Sequence, residues 1–385
     1  MNRDLVRRVR DEARDLADGG LDWLSFASGV SETIGRVVPF DRSCWHTVDP
    51  GTVLFTGSSS RGVSCSGSWL AEHEYVIEDV NKWWFLARSG RLAGATSLAT
   101  HGDLSRSARH RSQVSYGIGD ELRVSLVADG IYWGAAGFLR DSDRPWFTEE
   151  DVQILASLAE TAARGLRRAL VSTTVTADVV PAADGPGVVV LDEHGRPESI
   201  SPAAERWIEE MVEEPPPATP AESKMIQAVA NRARALSTHD PLQLAARSRV
   251  QTRSGTWLVL YGSRLSGDAD GRIAVILHPA RSSEVAPLVA LAYGLTPREC
   301  EITRLCMQGR STKEIASALH LSAYTVQDHL KSIFDKTGVR SRSELVGQIF
   351  LEHYATHWQD LDMTPAGWSG KALPQEGWYR IPDSG

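Results

Sequence analysis

Between residues 322 and 335, side chains able to do chemistry return at helical spacing: Tyr324, Gln327, Asp328, Lys331 and Asp335. Once Val326, Leu330, Ile333 and Phe334 are turned inward, those five share the face that is left. Its length suits the major groove of a duplex. Elsewhere the sequence offers little covalent chemistry. It has no GxxxxGK(S/T), HExxH or GxSxG motif, and no GxGxxG after a strand, so an enzyme is not expected. Cys44-x-His46 lacks a second ligand pair, so no metal site is expected, and no cofactor is evident.

The elements that must position this face carry strong local signals. Thr296-x-x-Glu299, Ser311-x-x-Glu314 and Ser341-x-x-Glu344 are capping boxes, in which hydroxyl and carboxylate satisfy each other's backbone amides. Pro297 suits a first helical turn, and Gly309 and Gly338 suit helix ends. With Ser322 as a further cap, four short helices are predicted, roughly over 296–308, 311–319, 323–337 and 342–353. Ile302, Leu305, Ile315, Leu319, Leu321, Val326, Leu330, Ile333, Phe334, Val339, Leu345 and Ile349 can close on one core. The tight His320-Leu321-Ser322 connection gives the two middle helices a helix-turn-helix layout.

Residues 295–346, within an expected domain of 295–353, resemble a LuxR-type DNA-binding domain. The matching pieces are Leu295-Thr296-Pro297-Arg298-Glu299, Gly309, Lys313-Glu314-Ile315-Ala316, Leu321-Ser322, Thr325-Val326, His329-Leu330, Lys336 and Gly338-Val339. The sequence departs from the commonest pattern at Cys300, Thr303 and Gln327, where Arg, Leu and Lys are frequent. The resemblance implies a double-stranded DNA partner, with Thr325, Val326, Gln327, Asp328 and Lys331 at the bases or nearby phosphates. Lys313, Lys336, Arg340 and Arg342 would contact mainly phosphates, which give affinity without sequence information. Gln327 suits adenine, and Asp328 suits a cytosine amino group or a partnership with Lys331.

Ahead of this domain, residues 1–170 resemble a GAF-type sensor through the segments 78–88, 100–111 and 132–141. Alternating stretches over 120–140 turn at Asp129-Gly130, a hairpin signal, and Thr148 caps a helix. The spacing of Val152, Leu155, Ala159, Ala162, Leu166 and Ala169 serves either a helix on its own sheet or a short two-chain seam. Residues 188–280 resemble a PAS-type domain through 187–207 and 254–265. There Ser201 caps a helix before strands at 249–253, 256–265 and 272–278. The expected class is therefore multidomain, with α+β GAF-like and PAS-like sensor units before an all-α four-helix LuxR-type domain. Segments 171–187 and 281–294 read as linkers and 354–385 as a Gly/Pro/Trp-rich tail. The serine-rich 57–68 stretch reads as a loop, and Glu213 to Pro217 as a break within the middle unit.

Seven of the 12 Trp precede residue 170. Trp45, Trp69, Trp83, Trp84 and Trp133 are candidates to line a pocket for a small molecule of unknown identity, although ordinary packing also accounts for them. His101, Asp103, Arg106, Arg109 and His110 form a polar cluster that could grip an anion or simply face solvent. Cys44 and Cys65 read as buried apolar fillers, or as a redox pair if they are close.

The 385 residues carry a net charge of -8, yet residues 290–350 hold 8 basic and 6 acidic groups. One basic module inside an acidic chain fits contact with a polyanion. The charged first 20 residues do not form a secretory leader, and no apolar run approaches the roughly 20 residues of a membrane helix. The expectation is a cytoplasmic, one-component transcription regulator that binds DNA as a homodimer, with RNA polymerase as a possible further partner and no membrane association. The alternatives are a protein-interaction scaffold or a front unit acting on a nucleotide.

Overall fold

The computed structural model describes residues 3–63, 65–172, 185–235, 245–266 and 271–347. The front unit is built on strands β1 (Arg42–Asp49), β2 (Leu54–Arg61), β3 (Ala93–Ala95), β4 (Ile118–Ala128) and β5 (Ile131–Asp141), in the order β3-β4-β5-β1-β2. Asp129 and Gly130, with φ of 52° and 74°, make the predicted reversal between Ala128 and Ile131. One sheet face is covered by helices α2 (Trp23–Gly35) and α3 (Glu149–Ser172), with α1 (Arg3–Asp18) packed on those two helices. Thr148 and Asp151 exchange side-chain and backbone hydrogen bonds at the start of α3 (3.2 and 2.9 Å).

Leu155, Ala159, Ala162 and Leu166 of α3 are buried with Phe26, Trp45, Leu122 and Phe138 in the front core, and Ala169 is buried as well. The apolar stripe that could have formed a two-chain seam is thus occupied within its own unit. Gly165 lets α2 approach this closely, because a Cβ there would run into the Phe26 ring.

The second unit uses β6 (Gly187–Leu191), β7 (Pro197–Ile200), β9 (Arg247–Gln251), β10 (Trp257–Arg264) and β11 (Ile273–Pro279), in the order β7-β6-β11-β10-β9. Counted within each unit, both sheets run 2-1-5-4-3. The α+β class expected of the GAF-like and PAS-like units holds. Ser201 caps helix α4 (Pro202–Glu210), accepting the Ala204 amide at 3.3 Å.

The two units interlock. The short strand β8 (Glu213–Glu214) leaves the PAS-like unit and pairs in parallel with β2, as the sixth strand of the front sheet. Glu213-Glu214 was expected inside a middle-unit loop; instead it closes the neighbour's edge. The serine-rich stretch from Gly57 likewise begins as strand, not loop, because β2 is covered there: Ser58 is fully buried opposite His46 and Glu213. Helix α5 (Lys224–Ala235) is buried over 224–233 between the units. Nearby, Arg249 of β9 holds both carboxylate oxygens of Asp49 at the end of β1 (2.6 and 2.8 Å).

Residues 281–294, expected as a linker, contain helix α6 (Ser282–Ala292). Its Val285, Leu288, Val289 and Ala292 are buried in the front core beside α3. Tyr293 packs on both this core and the core of the following helical module. The 354–385 tail lies outside the described residues.

The Asp49–Arg249 pair predicts a specific loss. Asp49→Ala strands a guanidinium that is 6% exposed on its side chain. Removing one partner of a buried pair costs about 3–5 kcal/mol. Chemical denaturation of the full chain should show a loss of that size, and a loss below about 1 kcal/mol would mean the pair does not hold the units together.

Candidate nucleic-acid interface

The carboxy-terminal module consists of α7 (Pro297–Met307), α8 (Thr312–Leu319), α9 (Ala323–Thr337) and a helical stretch α10 over 342–347. Two of the predicted boxes form reciprocally. The Thr296 and Ser311 amides donate to Glu299 and Glu314 (2.6 and 2.7 Å), whose own amides donate back to the hydroxyls (both 3.3 Å). The third is altered: Ser341 accepts the Glu344 amide at 3.1 Å, but the Glu344 carboxylate takes the amide of Arg340 at 2.7 Å.

His320 ends α8 in the left-handed region (φ 54°), and the Leu321 amide reaches the Ala316 carbonyl at 2.9 Å. This sharp stop turns the chain into Ser322, which caps α9 by accepting the Thr325 amide at 3.0 Å. Leu295, Ile302, Leu305, Ile315, Val326, Leu330, Ile333, Val339 and Leu345 form the core, with Leu319, Leu321 and Phe334 packed on it. The predicted Ile349 lies outside the described residues.

Glu299 ties α7 to the far end of α9. It is 3% exposed and accepts the Ser332 hydroxyl at 2.7 Å and the Lys336 ammonium at 2.6 Å. Burial pushes its carboxyl up, but Lys336, Ser332 and Thr296 outweigh burial and hold it at about 2.

Of the side chains expected at DNA, Lys313, Gln327, Asp328, Lys331 and Arg340 face solvent, and Thr325 is half-buried with its hydroxyl 2.8 Å from Ser322. Three others are engaged internally. Val326 has no exposed surface and belongs to the core. Lys336 neutralises Glu299, and Arg342 donates to the Arg310 carbonyl and, at 3.2 Å, to that of Cys306, closing the end of α7. Asp328 and Lys331 form no ion pair with each other among the described residues. Tyr324 was named on the face but not among the contacts. At 73% exposed in the first turn of α9, it stands at the leading end of that face.

The front candidates scatter. Trp45 donates to Ser31 (2.8 Å), Trp69 to Ser112 (3.0 Å) and Trp83 to the Ala136 carbonyl (3.0 Å). Arg123 lies 3.7 Å over the Trp83 ring, and Trp84 stands edge-on to Phe85. These are packing roles; of the five, Trp133 lines a cavity of about 260 Å³ where α2, β5, β10 and α6 meet. The anion-gripping cluster is likewise dispersed. Arg109 is fully buried on Glu121 (2.5 Å) and Asp79 (3.4 Å), while His101, Asp103 and Arg106 are exposed. Cys44 and Cys65 are unpaired thiols, and burial, followed by Glu121, pushes Cys44 up to about 12.

Residues 294–348 match the model of the bacterial regulatory proteins, luxR family. The spore germination protein GerE of Bacillus subtilis is 44% identical over 55 residues, which are 14% of this chain and 74% of that protein. This chain belongs to the luxR family. Other luxR-type relatives are matched over smaller shares of their own length. The transcriptional regulatory protein ComA of Bacillus subtilis is 50% identical over 52 residues, covering 24% of its length. The monoamine regulon transcriptional regulator of Klebsiella aerogenes is 39% identical over 83 residues, covering 37%. The crystal structure of bacteriophytochrome RpBphP3 from R. palustris aligns over 72% of this chain and 64% of its own, at 12% identity and a TM-score of 0.31. Among the described residues no helix is long and apolar enough to cross a membrane.

The Glu299 clamp has a pH signature. Its lowered carboxyl contributes stability that is complete above the ordinary value of 4.5 and is lost as pH falls towards about 2. Glu299→Gln should destabilise the module by about 1.5–3 kcal/mol at neutral pH, and the gap from the unsubstituted protein should close between pH 4.5 and 2. Melting curves of both proteins across that range test this; a gap that stays constant with pH would rule out the ionised clamp.

Proposed function

We propose that the protein is a one-component transcription regulator whose GAF-like and PAS-like units govern DNA binding by α9. The observation that carries this is the state of the exposed α9 face. The polar groups of Gln327, Asp328 and Lys331 have no hydrogen bond or ion pair within the described residues, while Val326, Leu330 and Ile333 on the opposite side are buried. A helix held rigidly by its back, with unengaged donors and acceptors in front, fits a major groove. Gln327 would pair with adenine, Asp328 would accept a cytosine amino group, and Lys331 would take a guanine edge or phosphate. Lys313 and Arg340 would meet phosphates on either side.

Two copies on two-fold-related half-sites are the arrangement that such modules favour. Control by the front of the chain is supported by α6, which is packed into the front core and leads directly into the module through Tyr293. A signal shifts DNA affinity only insofar as it binds the two arrangements of that connection differently.

Gln327→Ala and Lys331→Ala should each weaken binding to a selected site by about 1–3 kcal/mol. On random duplex, Gln327→Ala should change little. Lys313→Ala should lower affinity on both duplexes together and flatten the salt dependence by about one unit. Titrations of the full chain on both DNAs over a range of salt separate these effects. Equal losses on both DNAs for Gln327→Ala would remove base reading by α9.

A further inference from the structure

The contacts proposed above leave Tyr324 unused. Its side chain is 73% exposed, more than any other large apolar side chain among the described residues. Neither its ring nor its hydroxyl has a hydrogen-bond or ring partner among those residues. Single exposed apolar side chains are common on protein surfaces and need no explanation in themselves. Tyr324 differs because of where it stands.

Helical geometry sets its direction. At about 100° per residue, Tyr324 points about 180° away from Ile333 and about 160° away from Val326. Those two side chains have no exposed surface and hold the back of α9 in the core. By the same rotation Tyr324 lies about 20° from Lys331, about 40° from Asp328 and about 60° from Gln327. It therefore stands near the middle of the outward face, not on a flank. Its backbone is fixed by the cap at Ser322, which accepts the Thr325 amide at 3.0 Å. Lys313 and Arg340, the side chains proposed to meet phosphates, lie off this helix, on α8 and beyond Gly338.

That position decides what the ring can meet. The first turn of a helix laid in the major groove reaches base edges. There all four bases offer hydrogen-bonding groups, and thymine alone adds an apolar one, its C5 methyl. Gln327, Asp328 and Lys331 bring an amide, a carboxylate and an ammonium, which suit adenine, cytosine and guanine. The Tyr324 ring supplies the remaining kind of contact. Closing on a methyl group would also take exposed ring surface out of water.

We infer that Tyr324 reads a thymine methyl group, so that the half-site bound by α9 carries a thymine facing the first helical turn. This deepens the regulator reading and rests on it.

Duplexes selected by the full-length protein from a random library provide the test. Each thymine of the selected site is replaced in turn by deoxyuridine, which lacks only the C5 methyl. At one thymine in each half-site the replacement should weaken binding about threefold to tenfold. Tyr324→Ala should bind the thymine and deoxyuridine duplexes alike, with the affinity that the unsubstituted protein has for deoxyuridine. Tyr324→Phe, which keeps the ring and drops the hydroxyl, should retain the difference. Both variants should melt at the temperature of the unsubstituted protein, because the side chain is exposed.

If no thymine is sensitive to loss of its methyl, or if Tyr324→Ala keeps the sensitivity, the inference is overturned while the selected site leaves the regulator reading standing. Equal weakening on both duplexes by Tyr324→Phe and Tyr324→Ala would overturn it too, assigning the hydroxyl to a phosphate. If the unsubstituted protein selects no sequence at all, the regulator reading and this inference fall together.

Discussion

Helix α5 has no solvent face over residues 224–233, so its polar groups are cut off from water, and Lys224, Gln227 and Asn231 each donate to a partner inside the protein. Lys224 is the demanding case. Its ammonium is met at 2.8 Å by Glu213, itself 2% exposed. Holding Glu213 there places its backbone beside β2, and the short parallel strand β8 follows. Gln227 donates to the Gly195 and Ala221 carbonyls, both at 2.8 Å, fixing the neighbouring turns of the PAS-like unit. The relative placement of the two units, the covered serines of β2 and the junction with α6 all lie downstream of one helix that must satisfy two sheets.

What could be read from the residues was local chemistry. The caps at Thr296, Ser311, Ser322 and Ser201, the Asp129-Gly130 reversal and the strands of the PAS-like unit all follow from interactions spanning a few residues. What could not be read was burial created by distant segments. Ser58 is polar and was taken for loop, yet it is strand because α5 and β8 cover it. Lys336 and Arg342 look like phosphate ligands in sequence, but Glu299 and the carbonyls at the end of α7 claim them. Val326 adjoins Gln327 in a motif, but a helix turns neighbours about 100° apart, and only one of the two can face outward. The junction cavity joins Trp23, Trp133 and Trp257, which are too far apart in sequence for any motif to flag.

The internal engagement of those cations changes the character of the module. On the exposed face of α9, a single ammonium, Lys331, stands with two exposed carboxylates, Asp328 and Asp335. In the DNA contact proposed above, such a surface would gather little non-specific electrostatic attraction and depend on hydrogen-bond matching. On the reading proposed above, discrimination between operators is left to a handful of solvent-facing positions that the fold does not constrain.

The sixth strand of the front sheet also bears on how such a protein can be taken apart. Without β8, the Leu54–Arg61 strand would present a free row of amides and carbonyls, and unprotected edges of this kind recruit other chains. Genetic reshuffling that moved the GAF-like unit alone would carry this sticky border with it. The interlocked pair is therefore one structural unit, and the first two folds of the chain are better regarded as a single block than as beads on a string.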